Sequence, residues 1–222
     1  AIVDKYETKN KQGAVTYTRD NTINNAKNIS VTAKDTTVEK GIAGTIAVAA
    51  GQNAMASIGG AVVYNNIGNG AADNQKQTVK AQLNYAAITT ASGASIKTKA
   101  TNEADFLGLA LGGAVRAGGE KFGVSAEGSV AVTTDYMNTI AGMDYVNIDG
   151  STNTADSKSS KVEVEALSSS NITSSADALS VSVGDGIKIS GNAAVSKVRS
   201  DADTTTEIKN SIIKAQDVIA KA

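Results

Sequence analysis

Paired acidic side chains are the first groups in this sequence whose types and spacing suggest chemistry. Asp201 and Asp203 alternate along one predicted strand, so both carboxylates point to the same side of it. A pair of carboxylates is the arrangement that polysaccharide-cleaving enzymes use as acid and base. Because no third acidic residue converges on this pair, we interpret it as a solvated strand face and predict no catalytic residue.

The segment from Asp149 to Asp156 carries oxygen ligands at alternate positions, a pattern that could hold calcium. It lacks the terminal bidentate Glu of helix-loop-helix calcium sites and does not match the nonapeptide calcium repeat. We therefore predict a solvated loop, with calcium binding as the alternative. We predict no metal site and no cofactor elsewhere in the chain.

Three tyrosines are candidates for contact with a ligand. Tyr136 and Tyr145 flank the most irregular predicted loop, and Tyr64 begins another loop at the matching place one repeat earlier. Tyrosine on a protruding loop covers a large contact area at small entropic cost. The alternative is that these rings pack their own loops against the body of the protein.

The composition narrows the classes of function. The 222 residues include 21 basic and 22 acidic side chains and no His or Cys, and the net charge is −1. Without Cys there are no disulfides, iron–sulfur clusters or thiolate zinc sites, and without His an enzyme would need carboxylates, Lys, Arg or Tyr. Because a basic stripe with aromatic residues is also missing, we predict no binding of nucleic acid. Because we predict no catalytic residue, we also predict that the chain is not an enzyme.

A repeat provides the elements that position these groups. Three five-residue segments alternate small or branched uncharged residues with polar or charged ones, as half-buried strands do: Ile29–Ala33, Ile96–Ala100 and Val162–Ala166. Their last alanines are 67 and 66 residues apart, and a glycine follows each alanine by 18 residues. The chain is therefore predicted to be a repeat protein.

The strands that end at Gly51, Gly118 and Gly184 also alternate. Counting back from each glycine in steps of two, we predict that the following residues face inward: Ala50, Val48 and Ile46; Ala117, Val115 and Gly113; Val183, Val181 and Leu179.

A unit of this length is too long for one familiar solenoid coil and divides into about three turns of about 22 residues. We therefore predict an all-β fold, a right-handed parallel β-helix (β-solenoid) of some ten coils that forms a rod. We predict that residues 1–222 form one continuous β-helical segment, a fragment of a longer repeat protein. Its units cover residues 1–28 (partial), 29–94, 95–160 and 161–222.

Two segments allow other interpretations. Residues 207–220 place Ile208, Ile212 and Ile219 at helical spacing, but the repeat predicts strand there, and we favour strand over a capping helix. Residues 41–72 are uncharged, but they are rich in Gly, and the equivalent stretch one repeat later carries Arg116 and other charges. We therefore predict that this segment is not inserted in a membrane.

Three runs resemble a known family: residues 59–67, 78–83 and 95–100. They look like the passenger-region repeats of large autotransporter adhesins, the type V secreted, filamentous-haemagglutinin-like proteins of Gram-negative bacteria. The resemblance implies a secreted β-helical rod displayed at the bacterial cell surface. It also implies anchoring in the outer membrane through a part that this sequence does not contain.

The resemblance predicts an extracellular adhesin segment that attaches to host or bacterial cells and contributes to virulence. Its partner would be a surface receptor, protein or glycan, with self-association as an option. Two alternatives remain open. One is a polysaccharide-acting enzyme on a β-helix, which needs several acidic residues, or an acid beside Lys or Arg, in one groove. The other is an inert spacer stalk.

Overall fold

The computed structural model describes residues 2–3, 6–9, 15–18, 21–52, 55–118, 121–150 and 160–222. All helical or strand structure in these residues is β-strand, which confirms the predicted all-β class. The strands are β1 (Ile2–Val3), β2 (Tyr6–Lys9), β3 (Val15–Thr18), β4 (Asn21–Gly51), β5 (Met55–Ile67), β6 (Gln77–Asn84), β7 (Ala86–Gly118), β8 (Phe122–Asp135), β9 (Met137–Asp144), β10 (Asn147–Asp149), β11 (Lys161–Val183), β12 (Ile187–Ser200), β13 (Asp203–Lys209), β14 (Ile212–Lys214) and β15 (Asp217–Lys221).

The strands pair in parallel with their equivalents one repeat away. Val31 lies opposite Thr98, and Thr98 lies opposite Val164 on its other side. Long β4, β7 and β11 form one stack, β5, β8 and β12 a second, and β6, β9 and β13 a third. Only β2 and β3 pair antiparallel among the described strands. The predicted repeat is therefore the pairing interval of the fold.

One winding of the chain takes the whole repeat, so the predicted 22-residue coil is wrong. Residues 28–51 pair without interruption from Asn28 to Gly51, where a 22-residue coil would need further corners. The predicted rod of ten coils is wrong for the same reason. Three layers at roughly 4.8 Å give a stack of about 14 Å, whereas residues 95–118, fully extended, span up to about 80 Å.

The main hydrophobic core lies where the third stack meets the first residues of the long strands. Parallel strands around it form a nearly closed, barrel-like sheet. Aliphatic side chains from every layer fill it, because residues that are paired across the stack point to the same side. Its fully buried members include Leu83, Ile88, Ile96, Met137, Met143, Val146, Ile148, Val162 and Val164.

Beyond this core, the rest of each long strand faces the second stack across a thin layer of small side chains. Ala61, Val63, Ala110 and Ala131 form the cluster between the two sheets. Gly112 lies against the carboxylate of Glu127 from the opposite sheet, where a Cβ atom would collide with it. Small residues thus let the two sheets approach closely, and we call this two-sheet region the arm.

The prediction that Ile46, Val48 and their equivalents face inward is wrong. The side chains of Ile46 and Val48 are 77% and 68% exposed, and Leu179 and Val183 are exposed as well. The strand continues from Ala33 without a bulge, and Val48 is an odd number of residues further on. Because side chains alternate strictly along a strand, an inward Ala33 forces Val48 outward.

The positions that do face inward are the ones that alternate with the predicted residues. Arg116 and Ala114 are fully buried. The hydroxyl of Ser182 lies 3.2 Å from the hydroxyl of Ser125 in the facing sheet. The interior of the arm therefore combines small apolar residues with buried polar side chains, while its two outer faces are mostly apolar.

Residues 207–220 form strands, as the repeat predicted, and not a capping helix. Ile213 lies opposite Ile148, which lies opposite Ile88 in the previous winding. Val218 lies opposite Val162 in the same way. Strands β14 and β15 therefore repeat the first part of a further winding.

Candidate contact surface

Tyr64 is the most exposed of the three predicted contact residues. It lies near the end of β5 and points away from the arm, with 64% of its surface accessible. In the same row across the sheet it is followed by Val132 and then by Lys197. We call the outward-facing residues of β5, β8 and β12 the short-strand face.

Most of the short-strand face is apolar. Ile58 and Val62 precede Tyr64 on β5 and are about as exposed as it is, and Ile189 and Val195 lie on β12. Lys197 and Arg199 bring positive charge to the end of the face where Tyr64 lies. This end can therefore offer an aromatic ring, aliphatic surface and cationic groups to one partner.

Tyr136, in contrast, is buried. It connects β8 to β9, and the Arg199 guanidinium carbon lies 5.4 Å from its ring centroid, a cation–π contact. Its backbone N–H donates to the carbonyl oxygen of Ile67, and its own carbonyl accepts from Gln77. Tyr136 thus anchors a corner between layers and holds Arg199 in place beside the short-strand face.

Lys76 joins the layers at the same corner. Its ammonium nitrogen lies 2.9 Å from Asp201 Oδ1 and also bonds Asp203 Oδ2, two windings away in the chain. Residues 68–76 form an insertion at the place that Tyr136 alone fills in the next winding. The insertion delivers Lys76 to the two carboxylates.

The surroundings of Lys76 define the electrostatics of this corner. Its side chain is only 3% exposed, whereas Asp201 and Asp203 remain partly accessible. Hydrogen bonds from the ammonium to Asp203 and then Asp201 raise the pKa of Lys76 above its usual value, against the opposing effect of burial. Lys76 is therefore a structural cation, and the two carboxylates that sequence analysis considered as an acid and base pair are its counter-ions.

Tyr145 lies at a different corner, after β9. Its ring stacks on Tyr85 of the previous winding, with centroids 5.1 Å apart and planes 8° from parallel. Both residues have positive φ, and Asn210 takes the same conformation in the next winding. Tyr145 is thus one of three stacked corner residues that share a left-handed backbone conformation. The structure does not bring it together with Tyr64.

The candidate calcium loop is described only in part. Asp149 ends β10, and its Oδ2 lies 3.5 Å from the ammonium of Lys214. Residues 151–156 lie outside the described residues. Among the described residues, no group of three or more acidic, His or Cys side chains is arranged to hold a metal ion.

The polar positions of the repeat form a ladder of opposite charges on the outside of the core. Lys97 and Lys99 of β7 lie opposite Glu163 and Glu165 of β11. The ammonium of Lys99 is 2.9 Å from Glu165 Oε2, and Lys161 reaches Glu163 at 3.3 Å. These lysines lower the pKa of both glutamates, with Lys161 acting mainly on Glu163 and Lys99 on Glu165. The two glutamates are thus neutralised by Lys97 and Lys99 of the neighbouring winding together with Lys161 of their own strand.

Comparison with known proteins identifies no family. No protein-family model, no curated protein and no solved structure matches the chain. The described part of the chain also contains no helix long and apolar enough to cross a bilayer.

Proposed function

We propose that this chain is a segment of an extracellular adhesin, displayed at a bacterial surface and attaching the cell to a receptor on host or bacterial cells. In this proposal the parallel windings form a wide β-helix, as in autotransporter passenger regions, and anchoring occurs through another part of the protein. The single observation that carries the proposal is the exposed Tyr64 end of the short-strand face, held on stacked strands.

The stacked strands suit this role because they make a stiff support. Each winding is hydrogen-bonded to the next along nearly its whole length, from Ile29–Ile96 to Gly51–Gly118 in the longest pair. Charge pairs such as Lys99 with Glu165, and the link from Lys76 to Asp201, tie side chains between layers as well. A rigid support lowers the entropic cost of presenting a contact surface.

Contact chemistry at the Tyr64 end fits a receptor with apolar and anionic groups. The Tyr64 ring offers a broad face, Val62 adds exposed aliphatic area, and Lys197 supplies a cation two strands away. Tyrosine is among the residues that dominate binding energy at interfaces. Acidic glycans and acidic protein segments both provide this combination of groups.

The experiment measures binding of the purified, fluorescently labelled chain to host epithelial cells and to bacterial cells. We expect saturable binding, and about tenfold weaker binding for Tyr64→Ala, the change that corresponds to about 1.4 kcal/mol. The matched control is Val38→Ala, because Val38 is an exposed residue of β4 on the other sheet. This variant should bind as the unmodified chain does. Treating the cells with glycosidase or protease assigns the receptor to glycan or protein.

Two results would favour the alternatives. A chain that binds no cell type at any concentration would fit an inert spacer. Release of new reducing ends from host glycans would fit a polysaccharide-acting enzyme. Asp201 and Asp203 beside Lys76 meet the requirement of an acid next to Lys, but the buried Lys76 ammonium holds both carboxylates as its counter-ions, which disfavours that enzyme.

A further inference from the structure

The outer face of the long strands is the largest feature of the arm that the adhesin proposal does not use. Its residues come from three neighbouring strands, over residues 42–50 of β4, 109–117 of β7 and 175–183 of β11. Ile42, Ile46, Val48 and Leu179 are each more than 60% exposed. We call these outward-facing residues the long-strand face.

Large side chains and glycines alternate across this face. Gly44 lies beside Leu111, while Ile46 lies beside Gly113, which in turn lies beside Leu179. The result is an open apolar hollow over the glycines, lined by Ile46, Leu111 and Leu179. When two sheets pack face to face, side chains of each fill the gaps of the other, so this surface is complementary to a copy of itself.

The low charge of the long-strand face also favours a second copy of this chain as the partner. Asp177, on the edge strand β11, is the one charged residue among the outward positions of these three segments. Two copies can therefore meet without repulsion across the centre of the contact. The short-strand face is less suited to self-pairing, because Lys197 and Arg199 lie on it.

The size of the face sets the strength of the contact. Nine residues in each of three strands cover roughly 30 by 14 Å, or about 400 Å². A patch of this size is comparable to the largest apolar patch on a typical monomer, which often has a function. Two copies would bury about 800 Å² or somewhat more, since the surface is corrugated, which corresponds to a weak, transient complex rather than a permanent dimer.

We propose that the long-strand face is a self-association surface, on which two copies of this chain pack face to face in a weak symmetric dimer. In an isologous dimer each copy contributes the same patch, so the apolar hollow of one receives Ile46 and Leu179 of the other. At a cell surface, where copies are crowded, such a contact would gather neighbouring adhesins side by side.

Sedimentation equilibrium from micromolar to near-millimolar concentration tests the proposal. We expect the average mass to rise toward that of a dimer for the unmodified chain and to stay monomeric for Leu179→Lys. The matched control, Val62→Lys, places the same charge on the short-strand face at similar exposure and should dimerise as before. Circular dichroism checks that both variants are folded.

A single cysteine gives a second measurement that does not depend on a disruptive charge. The chain contains no cysteine, so Leu111→Cys on the central strand β7 should cross-link to its copy with a short bismaleimide. Tyr64→Cys, on the opposite face, should remain uncross-linked at the same concentration. This measurement stands if Leu179→Lys fails to fold.

The proposal is overturned by a chain that stays monomeric at every concentration. It is also overturned if Val62→Lys abolishes association while Leu179→Lys retains it, or if both variants still associate. Flotation of monomeric protein with phosphatidylcholine vesicles, lost in Leu179→Lys, would assign the face to lipid instead. The cell-binding experiment with Tyr64→Ala is independent of all these outcomes.

Discussion

Lys76 and Asp201 are 125 residues apart in the chain, yet the ammonium nitrogen of Lys76 lies 2.9 Å from the Asp201 carboxylate. Lys76 belongs to the first winding and Asp201 to the third, so this contact passes the intervening layer at Tyr136. The contact fixes the corner between the second and third stacks, and it places Arg199 and Tyr136 close to the proposed contact surface.

The corner should depend on both partners. Replacing Asp201 and Asp203 together with Asn leaves the buried Lys76 ammonium without a counter-ion, so we expect a clear fall in melting temperature. The same pair of changes in a Lys76→Met background should cost much less, because the uncompensated charge is gone. Thermal unfolding of the four proteins at pH 7 measures the coupling; equal costs in both backgrounds would contradict the role of Lys76.

The raised pKa of Lys76 also fixes the sign of its pH dependence. A raised folded pKa means that the stabilisation is complete below the usual lysine value of 10.5 and is lost as pH rises through the raised value. Urea unfolding should therefore show a loss of stability at strongly alkaline pH that is smaller in Lys76→Met. The exposed pair Lys34 and Glu103 is the control, and changing it should alter stability by about 0–1 kcal/mol at most.

The charge ladder should make the fold sensitive to acid. Because lysines lower the folded pKa of Glu163 and Glu165, their stabilisation is present above the usual glutamate value of 4.5 and is lost as pH falls through the lowered values. We expect Glu163→Gln with Glu165→Gln to be less stable at pH 7 and to lose less stability on acidification. Urea midpoints from pH 7 to 3 measure this. If the double variant loses as much stability on acidification as the unmodified chain, these glutamates are not the cause of the acid sensitivity.

Two adjacent valines test which side of the arm is its interior. Val63 is 5% exposed and faces the other sheet, whereas Val62 is 69% exposed. Val63→Asp buries an unpaired charge and should cost more than about 3 kcal/mol, while Val62→Asp should stay within about 0.5 kcal/mol. Chemical denaturation of both variants makes the comparison, and similar losses in the two would mean that the assigned orientation of β5 is incorrect.

The glycine that ends β7 should be irreplaceable. Gly118 has a φ of +93°, and an added Cβ would lie 2.5 Å from the carbonyl oxygen of Gly51 in the previous layer. Since that neighbour is backbone, Gly118→Ala should destabilise by at least about 1 kcal/mol. Gly128 has open space around its Cα, so Gly128→Ala should be neutral or slightly stabilising. Melting temperatures in the opposite order would contradict this.

The sequence predicts the strand register well because stacked residues share a chemical type. Ala33, Ala100 and Ala166 recur 67 and 66 residues apart, and the structure places them in one row. Lys99 and Glu165 occupy equivalent positions of the repeat in the sequence, but only the pairing of strands one repeat apart places them side by side in one row.

Two features of the fold could not be predicted from the sequence, for different reasons. Aliphatic residues at Ile46 and Val48 suggested an interior, but only the absence of a bulge after Ala33 determines their orientation. The counter-ion of Asp201 comes from an insertion that the repeat does not contain, so no spacing rule could connect Lys76 to it. The periodicity of the sequence therefore predicts the strand register that all layers share, but not a contact made by an insertion in a single layer.

Because adjacent layers pair in the same register, the number of layers can change during evolution. Ala33 and Ala100 occupy equivalent points of adjacent layers, so excising the residues between them would rejoin the chain where an identical path already begins. Recombination between copies can then shorten or lengthen the protein by whole layers without creating a new turn. The height of the stack then follows the number of copies.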